Sequence, residues 1–231
     1  MGRGERKCGE YSINKDTVMP RILEKIERRL GEKLFLKGDR CVGPKCAIVR
    51  RAYAPGVHGP KKGRGRGRGG RASEFGELQR EKQKLRFFYG LDNHEIKRYV
   101  DRASRKSAGL FDAHLTRMIE SRLDVIVRRL GFAPSSRAAR QAVSHGHIMV
   151  NGRSVRTPSF QTKKGDIIGF TAKGERTGNF GLLGERLGTM QTPSWLALDP
   201  GRKTGTVAGV PERGQSVATF DVIKIKEFYS R

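Results

Sequence analysis

Residues 129–155 read RLGFAPSSRAARQAVSHGHIMVNGRSV. Ser135 or Ser136 can cap a helix that runs to about Ser144, because a serine hydroxyl accepts an N–H group of the first turn. Asn151-Gly152 then lies at the centre of the alternating segment HIMVNGRSV, and this pair is the strongest short signal for a β-hairpin. The stretch therefore predicts a helix followed by a hairpin.

The predicted helix has two chemically different faces. One face carries small apolar side chains that let another helix approach closely: Ala138, Ala139, Ala142 and Val143. Helical spacing gathers polar and basic side chains on the opposite face: Arg137, Arg140, Gln141, Ser144 and His145. Guanidinium groups match phosphate oxygens with paired hydrogen bonds. This face indicates binding to a phosphate backbone; a basic helix that is only solvated has the same pattern.

Neighbouring segments extend the basic face. They contribute Arg122, Arg128, Arg129 and Arg153. His145 and His147 precede the hairpin, where histidines can stack on bases or donate to phosphates. No cysteine or carboxylate cluster accompanies the two histidines, so we do not expect a metal site there.

The composition favours a polyanionic partner. Lys and Arg total 48 against 23 Asp and Glu, which gives a net charge of +25 and a pI near 10.7. Nucleic acid is the usual partner at this charge, and a basic protein without one is the alternative. The chain has no apolar run of the roughly 20 residues that a membrane span needs. Its first residues, MGRGERKCGEYSINKD, lack the apolar region of a secretory signal.

The segment between residues 40 and 73 contains no acid, and its most basic part is KKGRGRGRGGR at 61–71. Alternating glycine and arginine cannot build a packed element, because glycine loses backbone entropy and nothing apolar is buried. Against phosphates the segment can follow a groove, while a solvated linker is the alternative. Its candidate RNA-binding residues are Lys61, Lys62, Arg64, Arg66, Arg68 and Arg71.

Periodicity assigns the remaining elements. Helical spacing predicts helices over 20–30 and 77–89 and from Asn93, and a single apolar stripe over 119–130. We expect strand-like pieces within 34–51, a strand at 166–170, a weak helical pattern at 182–187, and, in the tail after PSWLALD, a final strand in VATFDVIKIKEFYSR. The first half is therefore mainly helical.

The segment RLDVIVRRLGFAPSSRAARQAVSHGHIMVNGRSVRTPSFQTKKGDII closely resembles the S-four RNA-binding domain, which also occurs in RNA-modifying enzymes, tyrosyl-tRNA synthetases and a heat-shock protein. The flanking motifs LFLKGDRCVGPKCAIVRRAYAPGVHG, LQREKQKLRFFYG, PSWLALD and EFYSR are similar to the bacterial-type ribosomal S-four family. The resemblance implies an α+β fold. It implies an N-terminal domain at 1–120, the RNA-binding module at 121–183, and a tail at 184–231 that packs back on the first domain.

The resemblance also implies a role. Such proteins are structural constituents of the small ribosomal subunit, need no cofactor, and bind ribosomal RNA of the 5′ domain early in assembly. Protein S-five and other small-subunit proteins are the implied neighbours, near messenger RNA, where contact with S-five influences decoding accuracy. No membrane or small-molecule substrate is implied. The implied location is the cytoplasmic ribosome, with an organellar ribosome left open.

The family motifs add candidate RNA-binding residues outside the module: Arg50, Arg51, Tyr53, His58, Lys82, Lys84 and Arg86.

Two other functional hypotheses use the same module. An RNA-modifying enzyme would need a catalytic domain, and the chain has no nucleotide-binding or metalloprotease motif. A free RNA-binding regulator would lose its RNA on high-salt washing. We therefore expect a structural protein rather than an enzyme.

Zinc is a further possibility that the resemblance raises, because some family members bind it through C-x2-C and C-x4-C pairs. Cys41 and Cys46 match the second pair, and Cys8 matches one ligand of the first, with Tyr11 at the position of its partner. Structural zinc normally has four ligands. Other ligands open to the sequence are Glu24, Glu27 and His58. A degenerate site is the alternative, and three cysteines suggest a reducing compartment rather than disulfides.

Overall fold

The structure is a computed structural model, and it describes residues 23–56, 73–106, 111–176, 187, 192–211 and 220–230. Helices dominate the N-terminal half, and a small antiparallel sheet lies in the C-terminal half. The α+β class expected from the sequence is therefore confirmed. Two apolar cores are present among the described residues, one in each half.

The N-terminal half consists of helices joined by short turns. They are α1 (Leu23–Leu30), a 3-10 turn (Gly38–Cys41), α2 (Ala47–Arg50), α3 (Glu74–Tyr89), α4 (Asn93–Lys106) and α5 (Phe111–Glu120). Ser73 caps α3 by accepting the N–H group of Gly76 at 3.2 Å, and Gly90 ends it with φ +67°. The buried apolar residues of α3 recur at helical spacing, and they are Leu78, Leu85, Phe88 and Tyr89.

The strand-like pieces expected within 34–51 are absent from the structure. Leu34 and Leu36 are both buried, so the alternation is real. Their N–H groups, however, donate to one carboxylate oxygen of Glu27 at 3.1 and 3.0 Å rather than to a neighbouring strand. The Glu27 side chain therefore accepts the hydrogen bonds that a neighbouring strand would have accepted. Gly38, with φ +61°, then turns the chain into the 3-10 helix.

The apolar stripe expected over 119–130 belongs to two helices rather than one. Helix α5 ends at Glu120, and α6 spans Leu123–Arg129. The N–H groups of Leu123 and Asp124 donate to the carbonyls of Phe160 (2.9 Å) and Pro158 (3.2 Å), so they leave the helical ladder. Ile119 and Val125 consequently pack in the N-terminal core, while Leu123, Ile126 and Val127 of α6 pack in the second core.

The C-terminal half combines three helices of the described chain with a sheet. Its elements are α6, α7 (Ser136–Ser144), β1 (Ile148–Val150), β2 (Arg153–Ser154), β3 (Ile167–Phe170), α8 (Ala172–Arg176), β4 (Leu196–Asp199) and β5 (Thr204–Val207). The strand order is β2-β1-β3-β5-β4, and every pair is antiparallel. Helices α6 and α7 cover the apolar face of this sheet.

The helix and hairpin of the opening stretch are confirmed. Ser135 accepts the N–H group of Ala138 at 3.3 Å and caps α7. Asn151 and Gly152 have φ angles of +50° and +77°. Two successive positive φ angles define the type I′ turn that matches strand twist. The hairpin is also tied to β3, since the Asn151 amide donates to Asp166 (2.9 Å) and accepts from the Ile167 N–H (2.9 Å).

The final strand predicted in VATFDVIKIKEFYSR is wrong, because residues Val222–Ser230 form a helix, α9. The alternation of VIKIK does not reflect a strand. Helical spacing instead places Val222, Ile225 and Tyr229 on the side of the helix that faces the N-terminal core. Asp221 caps this helix by accepting N–H groups at 3.0 and 3.2 Å. Tertiary burial therefore overrides the local strand pattern.

The segment at 184–231 contributes to both cores. PSWLALD contains β4, which sequence reasoning did not assign. Strand β5 pairs with β3 through Ile167 and Thr206, and both strands enlarge the sheet of the module. Helix α9 and the segment just before it pack on α3: the ring of Phe228 stacks on Phe75 at 5.6 Å, and the ring of Phe220 meets that of Phe88 at 5.9 Å. The expected helical pattern at 182–187 lies outside the described residues, apart from the buried Leu187.

Arg122 connects the two halves from a fully buried position. Its guanidinium group donates to both carboxylate oxygens of Asp124 at 3.0 and 2.9 Å. It also donates to Glu95 (3.3 Å) and to the Tyr99 hydroxyl (2.9 Å), both on α4. Burial opposes its charge, but these acceptors outweigh that effect and raise the pKa of Arg122 above its ordinary value. The group is therefore charged and fully satisfied.

We predict that Arg122→Ala lowers the free energy of unfolding by about 3–5 kcal/mol, because it leaves the buried Asp124 carboxylate without its cation. Chemical denaturation of the purified protein measures this change. Arg117→Ala on the exposed surface of α5 is the control and should change stability by no more than about 0.5 kcal/mol. Equal effects of the two substitutions would contradict a structural role for Arg122.

Candidate nucleic-acid interface

Helix α7 divides its residues as the sequence predicts. Ala139, Ala142 and Val143 are buried in the second core, where their small side chains let α7 lie close to α6. The outer face exposes Arg137, Gln141, Ser144 and His145. The core thus fixes the helix, and the fixed helix presents a basic and polar row to the exterior.

Arg140 is shared between the interior and this outer face. Its guanidinium group donates to the carbonyl of Gly90 at 3.0 Å and lies 3.8 Å from Glu95. About two fifths of its side chain stays exposed, at 39%. Arg140 therefore ties α7 to the turn between α3 and α4 and keeps donors available at the edge of the face.

The hairpin adds cations beside α7. Arg153, in β2, is exposed as expected. Arg156 was missed by sequence reasoning, yet it follows the hairpin and crosses the turn after α7. A methyl group built on Gly146 would lie 3.0 Å from the Arg156 Nε atom. Gly146, with φ +74°, therefore lets Arg156 approach the backbone between the two histidines.

The two histidines have different environments. Their ring centroids lie 5.8 Å apart. His145 is exposed, whereas His147 is 8% exposed. Burial, followed by the charges of Lys173 and His145, lowers the pKa of His147. Its imidazole is therefore neutral at pH 7 and suited to packing and hydrogen bonding rather than to charge neutralisation.

Helix α8 brings another missed cation to the interface. A methyl group on Gly174 would lie 2.4 Å from the His147 carbonyl oxygen, so glycine permits α8 to pack closely against β1. The adjacent Lys173 is exposed and near enough to lower the pKa of His147. Lys163 and Lys164, in the turn before β3, are also exposed. The two lysines are adjacent in the sequence KKGD, and this pair of cations is the signal by which sequence reasoning could have found them.

Arg122, which precedes α6, and the two arginines of α6 are buried or partly buried. Arg122 is fully buried, and Arg129 is 8% exposed and paired with Glu120 at 2.5 Å. Arg128 donates to the Phe88 carbonyl (3.2 Å) and to the Ser136 hydroxyl (2.7 Å). Burial and the neighbouring Arg129 lower the pKa of Arg128 to about 10, so it remains charged at pH 7. We therefore correct the prediction that these arginines extend the basic face, because their side chains bind groups in the interior.

The cations predicted on α3 are also engaged within the protein. Lys84 is 5% exposed and binds Glu81 and Glu32, each at 2.6 Å. Lys82 lies 4.6 Å above the Phe228 ring of α9, and burial lowers its pKa. Arg86 is partly buried, and one of its nitrogens lies 4.0 Å from Asp92. These contacts join α3 to its neighbours, and Lys84 in particular has little surface for a ligand.

A second exposed basic corner surrounds the end of α2. Arg50, Arg51 and Tyr53 are exposed, as an RNA contact would require. Arg28 of α1, which sequence reasoning missed, donates to the carbonyls of Arg51 (3.0 Å) and Tyr53 (3.1 Å) and lies 4.9 Å from the Tyr53 ring centroid. His58 and the basic residues at 61–71 lie outside the described residues.

The cysteines do not form a zinc site with the side chains described here. Cys41 and Cys46 are free thiols at 3% and 2% exposure. Burial first, and then the nearby Glu27 charge, raise the pKa of Cys41, which opposes the thiolate that zinc requires. The Glu27 carboxylate lies 3.8 and 3.9 Å from the Cys41 sulfur and is already bonded to two backbone N–H groups. No potential ligands cluster in threes within the described ranges, and Cys8 lies outside them.

Comparisons with known proteins identify the family. Residues 121–168 match the model described as "S4 domain", and residues 23–120 match "Ribosomal protein S4/S9 N-terminal domain". Curated proteins named "Small ribosomal subunit protein uS4" are 42% identical in Syntrophomonas wolfei over 204 residues and 42% identical in Thermus thermophilus over 207 residues. Each match covers 88% of this chain and 94% of the relative. The chain belongs to the uS4 family.

Membership of the uS4 family confirms the resemblance inferred from the sequence. The uS4 proteins are structural components and not enzymes, so the expectation that this chain is not an enzyme is also confirmed. None of the helices described here has the length and apolar character of a membrane span.

We predict a pH dependence of stability from His147. Its folded pKa lies below the unfolded value of about 6.5, so the unfolded chain binds the proton more tightly and stability falls as the pH drops below about 6.5. Unfolding measured between pH 7 and pH 5 should show a smaller loss for His147→Gln than for the wild type. His94→Gln, on the exposed surface of α4, is the control and should follow the wild type. Parallel profiles for wild type and His147→Gln would contradict this assignment.

Proposed function

We propose that this protein is a structural constituent of the small ribosomal subunit that binds ribosomal RNA through α7, the β1–β2 hairpin and α8. One observation carries the proposal. The described cations of the module divide into buried and partly buried arginines that hold the fold and exposed cations on α7, the hairpin and its flanks, the turn before β3, and α8. The exposed set is Arg137, Arg153, Arg156, Lys163, Lys164, Lys173 and Arg176, and the half-exposed Arg140 lies beside them on α7.

The proposed mechanism is electrostatic and geometric. Arginine and lysine side chains replace the counterions of RNA phosphates, and the release of those counterions supplies much of the affinity. The rigid helix and hairpin determine where these cations lie, so a folded RNA junction is recognised by the positions of its phosphates. His145 can add a stacking or hydrogen-bonding contact beside the row.

The finer role follows from the family. We propose that the protein binds the 5′ domain of small-subunit RNA early in assembly and lies beside protein S-five near the channel through which messenger RNA enters. Contact with S-five would then influence decoding accuracy. The basic corner of Arg50, Arg51 and Tyr53 provides a second region for RNA on the N-terminal half. A free regulator remains the competing role, and it would wash off small subunits at high salt.

We predict that Arg137→Ala and Arg153→Ala each reduce the salt dependence of binding to 5′-domain RNA by about one phosphate contact. Filter binding across a salt series, with tRNA as competitor, measures both affinity and slope. The control is Arg117→Ala, an exposed arginine of α5 outside the module, which should leave the slope unchanged.

Two results would contradict the proposal. Binding that tRNA displaces as readily as unlabelled 5′-domain RNA would mean that the protein is a generic basic RNA binder. Slopes that stay unchanged in both module variants would mean that α7 and the hairpin are only solvated.

A further inference from the structure

A groove of about 760 Å³ lies between α1 and α3, away from the module. Its floor is apolar, because Ile26, Leu30 and Phe87 are partly buried against the N-terminal core. Its rim carries four cations: Lys25, Arg29, Arg80 and Arg86. Helical spacing produces this arrangement, since Lys25 and Arg29 are four residues apart on α1 and the α3 residues recur along one face. The groove thus combines an apolar base with a positive edge.

No acid lines this groove among the described residues. Four of the five acids of the same two helices bind groups outside the groove: Glu24 binds Lys37 and Arg40, Glu27 accepts from the backbone of Leu34 and Leu36, Glu77 binds Lys224, and Glu81 binds Lys84. Arg86 pairs with Asp92 at 4.0 Å, while no described acid forms an ion pair with Lys25, Arg29 or Arg80. Among the residues that the structure describes, no acid thus neutralises these three cations, and their charge favours an anionic ligand with several charges.

The floor indicates what else that ligand carries. The side-chain oxygen of Gln83 is buried at the groove and has no hydrogen-bond partner in the described structure. A buried acceptor is normally satisfied, so a ligand N–H group there would remove the cost of leaving it unpaired. Phe87 supplies an aromatic side chain next to it. Positive charge, an aromatic ring and an amide together are the features by which proteins bind unpaired nucleotides.

We propose that the groove between α1 and α3 binds an unpaired segment of RNA. Phosphates lie along Lys25, Arg29 and Arg80, and a base enters toward Phe87, where Gln83 accepts a hydrogen bond from it. The proposal deepens the RNA-binding function proposed above and rests on it for the source of the RNA. The groove volume is in the range of about 300–1,000 Å³ that accommodates small ligands, so one or a few nucleotides enter rather than a duplex.

Charge argues against the protein's own segments as the occupant. Residues 57–72 contain lysines and arginines but no acid, so the cationic edge repels them. The segment 1–22 carries Arg3, Arg6, Lys7, Lys15 and Arg21 against Glu5, Glu10 and Asp16, and is also net positive. RNA complements the edge along its whole length.

The test compares a groove variant with a matched control. Arg29→Ala/Arg80→Ala removes two exposed cations of the groove, and Lys97→Ala/Arg117→Ala removes two exposed cations outside it. Each full-length protein is titrated across salt with an unstructured RNA of roughly ten nucleotides. The groove variant should lose up to about two from the salt slope, and the control should match the wild type. Thermal unfolding verifies that all variants are folded.

A third variant separates stacking from charge. Phe87→Leu keeps the floor apolar and should weaken binding of the same RNA by roughly fivefold or more, with an unchanged salt slope. Ultraviolet crosslinking of the wild type, mapped by mass spectrometry, should place a nucleotide on peptides of α1 or α3. Crosslinks confined to the module, or groove variants that bind like the control, would overturn the proposal.

The outcome is distinguishable from failure of the ribosomal function. Loss of selectivity for 5′-domain RNA over tRNA would refute that function, whereas the short RNA still reports on the groove. Selective binding of 5′-domain RNA without any effect of the groove variants would refute the groove alone.

Discussion

Arg122 has no exposed surface, and its guanidinium group makes hydrogen bonds to both halves of the protein. An unpaired buried cation would be very unfavourable, so the positions of Asp124, Glu95 and Tyr99 are constrained together. Helix α4 is thereby fixed relative to α6, and α6 forms one wall of the core beneath α7 and the sheet. The orientation of the exposed cations depends on this arrangement, because they project from elements that pack on that core.

The arginines of this basic chain therefore have two different roles, since the buried ones stabilise the fold and the exposed ones are available to RNA. Arg128 and Arg129 on α6 are held by Phe88, Ser136 and Glu120, and these contacts reach from the module into the N-terminal half. Such side chains stabilise the fold and are poorly placed to meet RNA. Exposed arginines retain free donors and are the ones that phosphates can reach. Net charge alone indicates the class of partner, but burial decides which cations bind it.

Local chemistry explains which parts of the fold could be predicted. The Ser135 cap and the Asn151-Gly152 turn follow from side-chain and backbone preferences within a few residues, so sequence reasoning placed α7 and the hairpin correctly. Long-range contacts explain the failures. The Glu27 carboxylate takes the N–H groups that strand-like residues 34–36 would have paired, and the N-terminal core turns VIKIK into a helix. The burial of Arg122 likewise depends on α4, which its local sequence does not reveal.

A cryo-electron microscopy structure of the protein bound to the 5′ domain of small-subunit RNA is the sharpest test of RNA binding by α7 and the hairpin. We expect phosphate oxygens within hydrogen-bond distance of Arg137 and Arg153, and no RNA contact at Arg122 or Arg129. An RNA path that leaves α7 and the hairpin facing solvent, or one that draws the buried arginines out to the RNA, would contradict it.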